Sequence, residues 1–233
     1  MAVPTLLLTR PSGGSHGFAA ALDPSALARV RLLVAPLMEI TGTLAALAPH
    51  DVQAAIFTSA NGVDYAPDGR GRPAFCVGTV TTAEAKRRGW DAQLSGKNAH
   101  ELIARLREMR PVMPLVHLGG AHTIGDIAET LTAEGITTRH IAIYQQTLLP
   151  LDPEAMEALK APCIVPVFSL RSAAQLSSQA QGLLEHAHII ALSDSVACPF
   201  HNEKTAQCLI LQSPQAIYMR KAVENLCWNL SLP

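Results

Sequence analysis

The stretch Ala54-Ala55-Ile56-Phe57-Thr58-Ser59-Ala60-Asn61-Gly62-Val63 decides how the rest of the chain is read. Its first half is a continuous apolar run, too short for a helix, of the kind that a strand covered on both faces requires. Its second half turns to hydroxyls, an amide and a glycine, which end the strand and open a helix. A strand that passes through such a loop into a helix is half of a βαβ unit.

Outward from this segment the pattern recurs. Apolar runs lie at Thr5 to Thr9, Val30 to Ala35, Ala74 to Gly78, Met113 to Leu118, His140 to Tyr144, Ile164 to Ser169, Ile189 to Ser193 and Cys208 to Leu211. Amphipathic stretches separate several of them: Thr82 to Arg88, Ala99 to Arg110, Thr123 to Glu134, Pro153 to Lys160, Ser172 to Glu185 and Gln215 to Trp228. This alternation predicts an α/β fold of doubly wound parallel sheets with right-handed crossovers. Two places read as passages between domains. One is Pro36-Leu37-Met38-Glu39-Ile40, where a strand-like segment continues past a proline; the other is Tyr144-Gln145-Gln146-Thr147-Leu148-Leu149-Pro150, extended in pattern and closed by proline. With both as crossings, residues 1–36 and 148–233 form one discontinuous α/β domain and residues 37–147 the other.

Composition narrows the function. Of 233 residues 48% are hydrophobic and 16% charged, which excludes a disordered or fibrous chain. Eighteen Lys and Arg against nineteen Asp and Glu give a net charge of −1 with no basic cluster, so no nucleic-acid partner is expected. Aromatic residues at 4% provide no platform for stacking bases. No apolar run reaches the roughly 18 residues of a membrane span, and no membrane partner is expected. Five widely spaced cysteines without a CxxC pair, and a start lacking the pattern of a signal peptide, point to a reducing, cytoplasmic compartment.

In open α/β sheets ligands bind beyond the carboxyl ends of the strands, so the residues there carry the chemistry. They run Thr9-Arg10-Pro11-Ser12-Gly13-Gly14-Ser15, Thr58-Ser59-Ala60-Asn61-Gly62, Gly78-Thr79-Val80-Thr81-Thr82, Gly119-Gly120-Ala121-His122-Thr123, Ser169-Leu170-Arg171-Ser172 and Ser193-Asp194-Ser195. Two readings stay open: the hydroxyls cap helices, or the loops together offer N–H and O–H donors to an anion. Other chemistries lack their residues. Gly13-Gly14-Ser15-His16-Gly17 is not a dinucleotide fingerprint, and no phosphate-binding loop or nucleophile elbow occurs. His186 with His188, and His117 with His122, have no acidic or cysteine partners at metal-ligand spacing. Thr9, Thr58 and Gly78 stand where a receiver domain would need aspartates.

Leu6-Leu7-Leu8-Thr9-Arg10-Pro11, Ile56-Phe57-Thr58-Ser59-Ala60-Asn61-Gly62-Val63, Phe75-Cys76-Val77-Gly78-Thr79-Val80-Thr81-Thr82-Ala83 and Ile141-Ala142-Ile143-Tyr144 together resemble the uroporphyrinogen-III synthase family in order and spacing. The resemblance spans the chain and implies two α/β domains joined by a two-stranded linker. It implies a lyase of tetrapyrrole and heme biosynthesis, one that closes hydroxymethylbilane into uroporphyrinogen III with inversion of ring D and loss of water. No cofactor and no metal are implied, the partner is the small-molecule substrate, and a monomer is expected. Carried over by motif, Tyr144 matches the tyrosine thought to assist departure of the hydroxyl, a phenol that is protonated at neutral pH. Arg10, Thr58, Ser59, Asn61, Thr81, Ser169 and Ser195 are the substrate-binding candidates.

The chain departs from the family after Val63, where Pro67 and Asp68-Gly69-Arg70-Gly71-Arg72-Pro73 shorten a helix. It departs also at Leu118-Gly119-Gly120, where an arginine is more usual before the glycine, and at Asp194, an acid within a loop expected to hold carboxylates. A reading from another class fits the same loops: a non-catalytic two-domain binding module for a small anionic ligand.

Overall fold

The computed structural model describes residues 3–43, 47–121 and 126–230. In chain order, β1 (Thr5–Leu8) leads through α1 (Ser12–Ala20) and α2 (Pro24–Leu27) to β2 (Arg31–Val34) and β3 (Met38–Gly42). β4 (Ala54–Phe57), α3 (Ala60–Tyr65), β5 (Pro73–Val77), α4 (Thr79–Arg87), β6 (Asp91–Gly96), α5 (Ala99–Met109), β7 (Leu115–Gly120), α6 (Ile127–Ala133) and β8 (Thr138–Leu148) follow. The remainder is α7 (Pro153–Ala158), β9 (Cys163–Val167), α8 (Leu170–Gln179), β10 (Ala187–Ala191), α9 (Asp194–Ala197), β11 (Gln207–Ile210) and α10 (Ala216–Leu230). The chain divides into two compact units, Met1–Glu39 with Thr147–Pro233, and Ile40–Gln146.

The first unit holds a parallel sheet in the order β11-β10-β9-β1-β2. All four residues of β1 are buried because both faces are covered. Leu7 packs with Val165, Val167, Ile189 and Leu176 on one side, and Leu6 and Leu8 pack with Phe18, Ile164, Met219 and Val223 on the other. The strand order reverses between β1 and β9: the chain builds β2 on one flank of β1, then returns to build β9, β10 and β11 on the other.

The second unit repeats the principle in a sheet of order β3-β8-β7-β4-β5-β6. From β4 the chain adds β5 and β6 on one flank, then β7 and β8 on the other, so the reversal lies between β4 and β7. Strands β4 to β8 pair in parallel. β3 and β8 run antiparallel, since Leu149 N–H reaches the Leu37 carbonyl at one end and Thr43 N–H the Ile143 carbonyl at the other.

Where the elements differ from the sequence reading, local chemistry explains it. β6 escapes a search for apolar runs because it is an edge strand whose residues are largely exposed around buried Ala92 and Ser95. α1 contains Gly13, Gly14 and Gly17 and forms because Phe18 and Ala19 are buried against the sheet, not through propensity. α8 begins at Leu170, two residues before the amphipathic pattern, because Ser169 accepts a hydrogen bond from Ser172 N–H as its cap. Of the stretch Thr123 to Glu134, residues 123–125 lie outside the described residues, and α6 covers Ile127–Ala133. α3 stops at Tyr65, with Ala66 extended ahead of Pro67, as the residue before a proline prefers.

Close packing of α3 against β7 depends on Gly62. A Cβ there would lie 2.6 Å from the Leu118 carbonyl oxygen. Gly62→Ala would favour an exposed helix by about 1 kcal/mol, but here the clash sets the sign. A net loss of about 1–2 kcal/mol is expected in urea unfolding, and a variant as stable as the parent would contradict the close approach.

Candidate functional site

Both reversals of strand order are where open α/β sheets place ligands, and both collect the candidate residues. In the second unit, β4 runs into Thr58 and Ser59, and β7 ends at Gly120. Ser59 caps α3, its Oγ accepting from Asn61 N–H at 3.2 Å. From β8, Tyr144 reaches the same place. It is 7% exposed, and its ring stacks on that of Tyr65 with centroids 6.0 Å apart. Tyr65 is fixed in turn by its hydroxyl, which donates to the Ile40 carbonyl at 2.7 Å.

Burial raises the Tyr144 phenol above its ordinary pKa near 10, and hydrogen bonds to the Ser59 hydroxyl and the Gly120 main chain pull it back. The approach requires Gly120, since a Cβ there would lie 2.8 Å from the Tyr144 ring.

The opposite face of the same sheet edge carries histidines. His117 lies between Val116 and Leu118, which pack in the Tyr144 core, and alternation along the strand turns it to the other side. Its Nε2 is 3.3 Å from Thr58 Oγ1, and its ring centroid is 5.0 Å from that of His140, its register partner on β8. Burial, with a smaller push from His140, lowers the His117 pKa to about 4, so the ring is neutral at pH 7. His140 is lowered by burial too, opposed by Asp126 and by a bond to the Gly120 main chain.

Thr81 is buried in the first turn of α4, one strand further along the sheet. Gly78, before α4, has φ +78° and provides no side-chain cap, so the first N–H groups of α4 keep their donors.

In the first unit, Arg10 beyond β1 lies over the Phe168 ring beyond β9, 4.3 Å from its centroid, and Phe18 meets the same ring edge-on at 5.2 Å. Burial lowers the Arg10 pKa, which still leaves a guanidinium charged at neutral pH. Ser169 caps α8 and its hydroxyl lies 3.0 Å from Ser172 Oγ. Ser195 is exposed and pairs with Ser193 at 2.9 Å, and Asp194 beside it is also exposed. Capping thus accounts for Ser59 and Ser169, while α1, α4 and α9 carry no side-chain cap. Among the described residues no three His, Cys, Asp or Glu side chains gather to hold a metal, and no helix is long and apolar enough to cross a membrane. His122 and Thr123, in the loop after β7, lie outside the described residues.

Residues 28–216 match the family model described as uroporphyrinogen-III synthase HemD. The chain belongs to the uroporphyrinogen-III synthase family. That family consists of cofactor-independent cyclising lyases of tetrapyrrole biosynthesis, acting on hydroxymethylbilane. Membership supports the synthase reading over the binding module. A comparison with curated protein sequences gives no match. Among solved structures, uroporphyrinogen-III synthetase from Helicobacter pylori 26695 is similar in fold, with TM-score 0.66 and 16% identity over 96% of this chain and 99% of that one. A mutant uroporphyrinogen III synthase from the extremely thermophilic bacterium Thermus thermophilus aligns with TM-score 0.51 and 12% identity over 95% of this chain and 98% of that one.

Sequence reasoning did not single out Tyr65, Gly120 or His140 for the synthase site. The available signal was a histidine within each of two apolar runs, where a strand otherwise admits only apolar residues. His117 binds fewer protons when folded than when unfolded between pH 6.5 and 4. Stability is therefore complete above that window and falls as pH drops through it, by on the order of 3 kcal/mol from this group. Urea titrations at a series of pH values should show that loss in the parent and a smaller one in His117→Gln; equal slopes would contradict a buried neutral His117.

Proposed function

We propose that this chain closes hydroxymethylbilane to uroporphyrinogen III, with Tyr144 protonating the departing hydroxyl and the hydroxyl-rich strand ends holding the substrate's carboxylates. The observation that supports the assignment is the burial of Tyr144 at the strand-order reversal, its ring stacked on Tyr65 and set against Gly120, where a Cβ would lie 3.2 Å from the phenol oxygen. Ser59 and the Gly120 main chain favour the ionised phenol and oppose the effect of burial as the proton leaves. Stacking on Tyr65 and burial hold the ring in one orientation, which a proton donor needs. Ser59 acts on Tyr144 in this scheme, while Thr58, held by neutral His117, and Asn61, in the first turn of α3, contact substrate.

Thr81, Ser169 and Ser195 orient carboxylates without reacting, and Arg10, braced on Phe168, pairs with one of them. The two compact units support a division into α/β domains of residues 1–36 with 148–233 and 37–147. The scheme needs neither cofactor nor metal, and takes the enzyme to be a cytoplasmic monomer without nucleic-acid or membrane partners.

Left alone, hydroxymethylbilane closes without inversion to the type I isomer, so product identity is the readout. With substrate generated in place, the protein should shift the oxidised porphyrin from type I to type III. Tyr144→Phe should lower the rate by about 10² to 10⁴, while Thr81→Ala or Ser169→Ala should cost far less because many donors share the carboxylates. An unchanged isomer ratio with the parent protein would refute the function, and full activity in Tyr144→Phe would refute the acid.

A further inference from the structure

We infer that Gly14 and Phe168 are positioning residues for Arg10: they close on its guanidinium from α1 and from the end of β9, and leave its donor edge to take one carboxylate of the ligand. The carboxylate rests on the synthase reading of Arg10 as a substrate contact; the positioning does not.

α1 carries Gly13, Gly14 and Gly17 within its nine residues, where alanine would make a better helix. At Gly13 and Gly17 an added Cβ would meet nothing within 4 Å. At Gly14 it would meet the Arg10 guanidinium, 3.3 Å from Nε, 3.4 Å from Cζ and 3.5 Å from Nη2. Distances so nearly equal put that Cβ over the face of the planar group, since an approach in the plane would leave Cζ clearly further away than the two nitrogens. The bare Gly14 is what lets α1 come down on this face.

The remaining contacts hold the group in place. The Phe168 ring lies with its centroid 4.3 Å from Cζ, and buried Phe18 of α1 meets that ring edge-on at 5.2 Å, so the ring has little room to yield. Buried Ser15 donates its hydroxyl to the Arg10 carbonyl at 2.9 Å and fixes the main chain. None of these groups accepts from the guanidinium. Among the described residues the Arg10 side chain has neither a hydrogen-bond acceptor nor an ion pair, while burial works against its charge. A fixed, half-buried and uncompensated guanidinium offers its N–H fork to an oxyanion, and a carboxylate meets such a fork through two parallel bonds.

The test uses the full chain labelled with ¹⁵N, in which the Arg10 Nε–H resonance is the one lost in Arg10→Lys. Sodium propionate should move that resonance saturably in the parent protein, and sodium chloride at equal ionic strength should not. Gly14→Ala and Gly17→Ala should both resist urea at least as well as the parent, because each gains helix propensity. Only Gly14→Ala should displace the Arg10 resonance and weaken propionate binding about fivefold or more, the loss expected for one hydrogen bond to a charged group. Phe168→Leu, which keeps an apolar side chain without the ring, should do the same. In the isomer assay Gly14→Ala should raise KM by a similar factor with kcat unchanged, the pattern of lost binding, and Gly17→Ala should match the parent.

Propionate binding that weakens in Gly14→Ala while KM holds supports the positioning and refutes Arg10 as a substrate contact. A resonance that moves with inorganic phosphate but not with propionate overturns the choice of a carboxylate. An Arg10 resonance and a propionate affinity equal to the parent's in folded Gly14→Ala overturn the inference whatever the rates do.

Discussion

The Tyr144 arrangement depends on the missing side chain at residue 120. With no Cβ there, the ring of Tyr144 lies against its own register partner at the end of β7. Any other residue would place a Cβ 2.8 Å from that ring and force it to shift. A second close approach completes the arrangement: Gly62 admits the Leu118 carbonyl, so α3 settles against β7 and carries Tyr65 onto the Tyr144 ring. Backbone geometry, rather than a cluster of charges, builds this part of the molecule.

The consequence is electrostatic. A phenol taken out of water resists ionisation, and burial is the largest influence on Tyr144. Left uncompensated, that would make it a poorer proton donor. Ser59 and the Gly120 main chain oppose that rise, and in surroundings poor in water such polar groups count for more than at the surface. His117, neutral for the same reason of burial, adds a polar partner for Thr58 without adding a positive charge.

Much of the fold was legible because parallel strands covered on both faces must be continuous apolar runs, and β1, β4 and β9 are buried at every residue. The α/β class and its parallel sheets follow from those runs alternating with helices. β6 was not legible, because an edge strand need not be apolar. Tyr144 and Ser59 were found through a motif, yet no pattern along the chain states that one hydrogen-bonds the other. That pairing depends on β4, β7 and β8 lying side by side, which is a property of strand order. His117 and Thr58, fifty-nine positions apart, meet for the same reason. Ser169 illustrates the opposite limit: its position at the start of a helix was plain, and capping explains its hydroxyl as well as ligand binding does.

Each unit meets the requirements of a strand-order reversal with different residues, and the difference has a chemical sense. In the second unit the groups at the reversal are a phenol, hydroxyls and neutral imidazoles, which suit the movement of a proton. In the first the reversal places a guanidinium over an aromatic face, Arg10 over Phe168, with Phe18 meeting the same ring edge-on. Stacking uses the face of the guanidinium and leaves its edge, where the N–H donors lie, for a planar anion. A carboxylate or a phosphate fits such an edge through two parallel bonds. Lysine could supply the charge but neither the stacking nor the fork, so this pair offers an oriented donor edge where a lysine would offer a point charge.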